Sequence, residues 1–326
     1  MAHEIDHSTG KPAIAYVGET PWHGLGESLA EGQPIDVWIK AARLDWELKR
    51  LPVQFLVDSK LRVMDDRFVL ARSDTGAALS VVAGDYHIVQ PKDVLEFFRD
   101  LVASFHYTLE TAGALNGGRK VWALAKTGKT ATVPARMGNP DHIAAYVLLA
   151  TSCDKSLATT IAFTSIRVVC QNTLFFAIDD IAEHKRRQLK VQHSHRFEPD
   201  RIKRDLGLMD KAWEAFIEKA SKMARRQFEP NDASSFFQDI LLEKDAESLS
   251  ARAERDHASL MSLYQSAPGQ ELESAKGTLW GTVNAVSYYV DQVRFGGAGD
   301  RLDSAWFGAG ARLKNKAWIT ACDLLG

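Results

Sequence analysis

Cysteine is scarce: three in 326 residues, Cys153, Cys170 and Cys322, far apart in the chain. No pair has the spacing of a zinc knuckle or a redox motif, so a disulfide scaffold is excluded and three buried thiols are expected. No apolar run approaches the ~18 residues of a membrane span, and no membrane contact is expected. The N-terminus, Met1-Ala2-His3-Glu4-Ile5-Asp6, lacks a basic region followed by an apolar core. No secretory signal is therefore expected, and the cytoplasm is the expected location. An excess of one charge is missing too, because 40 Lys+Arg oppose 42 Asp+Glu. That balance excludes a protein that coats nucleic acid with its whole surface, but it leaves room for one basic face. Neither a repeat period nor a low-complexity tract is visible.

What is present is an ordinary soluble composition, 45% apolar and 25% charged, long enough for one large or two modest domains. The charge is segregated. Residues 1–183 carry a net −4, residues 184–226 a net +7, residues 227–273 a net −7 and residues 274–326 a net +2.

The hydrophobic period changes along the chain. The first 35 residues are rich in turn formers and hold Thr20-Pro21-Trp22-His23-Gly24-Leu25-Gly26, which reads as a loop. Asp36 is placed to cap a helix through Leu44. Val53, Phe55 and Val57 alternate at strand spacing. Arg67–Ala71 and Leu79–Ala83 form a hairpin about Ser73-Asp74-Thr75-Gly76. Pro91 opens a helix carrying Val94, Leu95, Phe97, Phe98, Leu101 and Val102. A second hairpin turns at Asn116-Gly117-Gly118. A third joins the β-branched runs Ile143–Ala150 and Leu157–Val169. Sequential hairpins predict an antiparallel sheet with the helix packed on one face. After Cys170 the pattern reads as helical throughout, beginning with a helix capped by Gln171-Asn172-Thr173. The fold class is thus α+β: an antiparallel sheet of hairpins with a packed helix, then an all-α C-terminal part. The expected division is an α+β core at 1–183 and a helical domain at 184–326.

Few motifs carry chemistry. Thr127-Gly128-Lys129-Thr130 resembles the end of a phosphate-binding loop, but position 123 is Ala and Val133-Pro134 follows where a helix is required. His193 and His195 are read as solvated histidines in a basic linker, since no third metal ligand has a suitable spacing. His23 lacks a sequence-adjacent carboxylate or nucleophile. No hydrolase or metalloprotease motif occurs, so no catalytic residue, metal or cofactor is expected. Arg167, in the apolar strand Thr164-Ser165-Ile166-Arg167-Val168-Val169, reads either as a buried ion pair or as a phosphate contact at the sheet edge. The strongest electrostatic feature is the run Lys185, Arg186, Arg187, Lys190, Arg196, Arg201, Lys203 and Arg204, opposed only by Glu198 and Asp200. It reads as a solvated helix face, as a phosphate-tracking groove, or as the partner of the acidic 227–273 segment.

Four blocks carry a family resemblance. They are Thr20–Gly26, the turn Ser152–Leu157, Arg167-Val168-Val169-Cys170-Gln171-Asn172-Thr173-Leu174, and Gly277-Thr278-Leu279-Trp280-Gly281-Thr282-Val283-Asn284-Ala285-Val286. Together they resemble an uncharacterised phage/plasmid-like protein family, a domain of unknown function carried on phages, plasmids and prophages. Lys155 departs from the pattern, standing where the turn of many relatives has Gly. The strand order is also similar to the core of phage single-strand annealing proteins, which form rings or filaments and hold single-stranded DNA in a basic groove.

The resemblance implies a non-enzymatic, self-assembling protein of a mobile element that binds single-stranded DNA in recombination or replication. Lys155, Arg167, Lys185, Arg186, Arg187, Lys190, Arg196, Arg201, Lys203 and Arg204 would be the DNA contacts, with exposed aromatics stacking on bases. A protein-interaction module is the alternative, such as an anti-defence factor or the partner of an element-encoded ATPase. An enzyme using His23 with a distant carboxylate such as Asp154 ranks last.

Overall fold

The computed structural model describes residues 4–21, 24–134, 141–167, 173–175, 188–191, 193, 209–243, 246–294 and 301–326. Its strands are β1 (Ile14–Val17), β2 (Glu27–Leu29), β3 (Leu48–Val57), β4 (Lys60–Arg72), β5 (Ala78–Ala83), β6 (Thr108–Leu115), β7 (Lys120–Val133), β8 (Asp141–Ser152), β9 (Thr159–Arg167), β10 (Thr173–Phe175) and β11 (Gln188–Val191). Its helices are α1 (Ile35–Ala41), α2 (Pro91–Phe105), α3 (Met209–Arg225), α4 (Pro230–Leu241), α5 (Ala251–Ser266), α6 (Leu279–Tyr288), α7 (Arg301–Trp306) and α8 (Ala309–Leu325). The chain is α+β, with the described helices of its C-terminal part following the sheet.

The main sheet runs β10-β9-β8-β7-β6-β1-β2, with β11 also on β9. The three expected hairpins are present as β4–β5, β6–β7 and β8–β9, all antiparallel. Among the described residues the one parallel pair is β1 with β2, two short strands on either side of the Thr20–Gly26 segment that the sequence reads as a loop. Asp36 lies in the first turn of α1 and Pro34 takes the cap position. β3, β4 and β5 form a separate three-stranded sheet.

β8 is buried at every position but His142. An antiparallel strand with one wet face would alternate, so both faces of the sheet centre are covered. α2 packs on β6, β7 and β8, and α3 packs on β7. The single helix layer expected from the sequence is therefore joined by C-terminal helices. Trp122 of β7 meets Trp306 of α7 edge-to-face, centroids 5.2 Å apart. The buried Asp141 at the start of β8 accepts from Trp280 Nε1 at 2.9 Å and from Ser274 Oγ at 3.1 Å. Lys120 Nζ pairs with Asp303 at 2.5 Å. One buried apolar cluster takes in residues from Ile5 to Ala321. The expected boundary at 183/184 lies outside the described residues.

A second lock sits where the two sheets meet. Arg72, almost fully buried, pairs with Asp6 at 2.5 Å and with Asp74 at 2.7 Å. Its guanidinium also donates to the Gly117 carbonyl and lies 4.2 Å over the Trp46 ring. Gly118, at φ 86°, leaves room for this stack, since a Cβ there would fall 2.6 Å from Arg72 Nη1.

Residues 173–175 correct the sequence reading. They were expected in a helix capped by Gln171-Asn172-Thr173, but they form β10 and pair with Thr164–Ile166. Thr127–Thr130 lie in β7 at a register shift, which fits their rejection as a phosphate loop.

Candidate nucleic-acid interface

β8 occupies one edge of β9 from Thr160 to Arg167. The other edge takes β11 at Thr159–Ala162 and β10 at Thr164–Ile166, end to end. Of the predicted cations whose backbone is described, one lies on this outer edge and two lie at the opposite ends of β9. Lys190 stands on β11 opposite Thr160, and Arg167 closes β9. Lys155 is exposed in the turn that leads into β9, with φ 67° in the left-handed region. Lys185, Arg186, Arg187, Arg196, Arg201, Lys203 and Arg204 lie outside the described residues, as do the side chains of Arg167 and Lys190. β11 nonetheless places the chain between the two halves of the basic run on the sheet's outer edge.

His193 fastens that strand to the body. Its ring stacks on Tyr86, centroids 4.6 Å apart and planes 15° apart. Nδ1 lies 3.2 Å from the His87 carbonyl and Nε2 lies 3.2 Å from the Leu157 carbonyl. The His193 carbonyl accepts from the His87 N–H at 2.6 Å. An imidazolium donates to both carbonyls, whereas a neutral ring donates to one. Burial holds the Tyr86 hydroxyl well above its ordinary pKa, so the platform is neutral. His193 is thus a packed, half-buried clamp, which corrects its reading as a solvated linker residue. His195 is outside the described residues.

The residues weighed for catalysis are otherwise employed or not described. His23 is outside the described residues. Asp154 Oδ1 accepts from the Ser156 N–H at 3.0 Å and holds the β8–β9 turn. Burial, with Asp154 nearby, pushes the Cys153 thiol up to about 12, so it is no nucleophile near neutral pH. Among the described residues no three His, Cys, Asp or Glu side chains are grouped to hold a metal.

Sequence reasoning missed a second cationic feature. An open cleft of about 320 Å³ lies among α4, α5 and α8. Arg252, Arg294, Arg312 and Lys316 line it, with Glu243 and Asp256 opposing. Asp256 accepts from Tyr289 Oη at 2.7 Å, and Lys316 Nζ donates to the Leu242 carbonyl at 3.0 Å. The first turns of α5 and α8 also border the cleft, adding partial positive charge. Such a site suits a phosphate group. Only the i, i+4 spacing of Arg312 and Lys316 on α8 hints at it in the sequence.

The Gly277–Val286 block has a structural explanation. Thr278 caps α6 by accepting from the Gly281 N–H at 3.1 Å, and every residue from Leu279 to Ser287 is buried. Asn284 Nδ2 donates to the Trp280 carbonyl at 2.8 Å. No curated protein and no solved structure matches the chain. Residues 78–317 match a family described as a domain of unknown function (DUF932). With that match covering most of its length, the chain belongs to this family.

Proposed function

We propose that this protein binds single-stranded DNA along the outer edge of its main sheet and self-assembles to do so, serving recombination or replication of a mobile element. The observation that carries the reading is the position of β11. It lies between Lys185-Arg186-Arg187 and Arg196–Arg204 in sequence, and on the edge of β9 opposite β8 in space. Phosphates are the natural counter-ions of such a run, and strand annealing requires no nucleophile, metal or cofactor. The α4–α5–α8 cleft offers a further phosphate contact.

The test is fluorescence anisotropy of a labelled oligonucleotide across a salt series, beside a duplex of equal length. Wild-type protein should bind the single strand more tightly and with a steep salt dependence. The triple variant K185A/R186A/R187A should bind more weakly, its slope of log affinity against log salt shallower by about 2. Absence of wild-type binding at low salt overturns the reading. The second reading, a protein-interaction module, is favoured by the exposed apolar side chains of β3 and β4, Phe55, Leu56 and Leu61 among them, and predicts complex formation without DNA affinity.

A further inference from the structure

β3 and β4 extend beyond the three-stranded sheet as a two-stranded arm. β5 accompanies β4 only from Ala71 back to Arg67, whereas β3 and β4 stay paired out to Val57 and Lys60. Cross-strand partners share a face. Val81, Val69 and Leu51 are in register across the three strands; beyond the register shift between Pro52 and Val53, Val53, Phe55 and Val57 alternate along β3, with Met64, Arg62 and Lys60 as their cross-strand partners. Met64 pairs with Val53 on that same face. The opposite face at the arm's base is buried through Leu48, Leu70 and Val82, so the face bearing Leu51 points outward.

The outward face of such a sheet is ordinarily polar. Here Leu51, Phe55, Val57, Met64 and Val81 are 40–47% exposed. At the tip the other face is apolar as well, with Leu56 71%, Leu61 60% and Val63 52% exposed. Among the described residues no strand pairs with β3 on its outer edge, where the Gln90 amide holds the Leu48 backbone at the base of the arm. A long, apolar, unpaired edge is an aggregation hazard unless something covers it.

Charge identifies the cover. From Asp58 to Arg67 the arm carries Asp58, Asp65 and Asp66 against Lys60, Arg62 and Arg67. A neutral ribbon attracts neither a phosphate backbone nor an anionic membrane, but it is complementary to itself. Two arms facing one another across a two-fold axis at the Val53–Met64 pair would bring Val53, Phe55, Val57 and Met64 together, with Lys60 and Arg62 of each arm available to the acids of the other. An isologous contact of this kind closes without leaving a free patch. The exposed apolar side chains of that one face amount to on the order of 400 Å² per copy, enough for the apolar centre of an interface whose standard size is ~800 Å² per partner.

We infer that the β3–β4 arm is the surface through which two copies of this chain associate, arm against arm. This names the contact for the self-assembly proposed above and rests on that part of the reading alone. The measurement is therefore made on nuclease-treated protein without DNA, so that either reading can fail independently.

Light scattering after size exclusion should give wild-type protein at a multiple of 36.2 kDa. The double variant F55E/V57E should elute as a 36.2 kDa monomer with an unchanged circular dichroism spectrum. Should that variant misfold, the full chain carrying M64C serves instead. A cysteine beside the two-fold axis should cross-link two chains rapidly with a short bismaleimide, and S73C at the base should not. Monomeric wild-type protein, a wild-type mass retained by folded F55E/V57E, or no cross-link at position 64 overturns the inference.

Discussion

Gly281 shows how a single position can hold this fold. A Cβ there would lie 1.9 Å from the Ala275 carbonyl oxygen and 2.8 Å from Gln270 Oε1, both fixed within buried structure. Gly281→Ala should cost at least about 3 kcal/mol, read as a lower denaturation midpoint, because backbone must move to admit it. Arg72 poses the electrostatic counterpart. Removing it leaves the buried Asp6 carboxylate unpaired, and Arg72→Met should cost about 3–5 kcal/mol. Its hydrogen bond to Asp74 holds that carboxyl below the usual carboxylate range. The stabilisation is then complete above the unfolded value of about 3.9 and is lost as pH falls through the lower folded value. Asp74→Asn should therefore flatten the acid limb of the stability profile while leaving its upper range level. Lys155 is a milder case. At φ 67° it occupies a conformation that glycine adopts freely. Lys155→Gly should gain up to about 1 kcal/mol and, on the DNA reading, weaken binding, so that stability and affinity move in opposite directions.

Among elements, β11 and the segment around it separate what the sequence disclosed from what it hid. The three hairpins were legible because each turn carries Gly, Asn or Asp between β-branched runs. The start of α2 was legible because Pro91 suits a first turn. Residues 173–175 misled, since Asn172-Thr173 followed by Leu174 and Phe175 matches a capped helix locally. Pairing with Thr164–Ile166 is a tertiary contact that no local window contains. His193 was equally opaque: its meaning comes from Tyr86, His87 and Leu157, remote in sequence and adjacent in space. The cleft was hidden for the same reason, because Arg252, Arg294 and Arg312 come from separate elements. The clamp yields its own test. His193→Ala removes the stack and both ring contacts, so hydrogen exchange at Gln188–Val191 should accelerate while β8 stays protected. Unchanged protection at β11 would show that the ladder to β9 suffices without the histidine.

At the scale of the molecule, the contrast between an α+β front and a helical rear conceals their interdependence. β7 over Val121–Ala125 and β8 beyond His142 are buried on both faces, and the described rear supplies part of that cover through α3, Trp306 and Trp280. Polar ties cross the same seam: Lys120 with Asp303, Trp280 and Ser274 with Asp141, and the Asp303 N–H with Glu4 at 3.1 Å. Cut after residue 183, the front would expose Trp122 and leave the buried Asp141 carboxylate without its Trp280 and Ser274 donors. A buried charge deprived of donors is costly, and an exposed aromatic face favours aggregation. A 1–183 fragment should therefore be insoluble or bind a hydrophobic dye as a loosely packed state. The full chain should melt in one calorimetric transition whose van't Hoff and calorimetric enthalpies agree. Asp141→Asn tests the seam within the full chain: it keeps the side chain's shape, weakens the charge-assisted bonds from Trp280 and Ser274, and should lower that single transition without splitting it. Two resolved transitions, or a soluble and cooperatively folded 1–183 fragment, would show that the sheet supports itself and that the helices of the rear are added to a finished core.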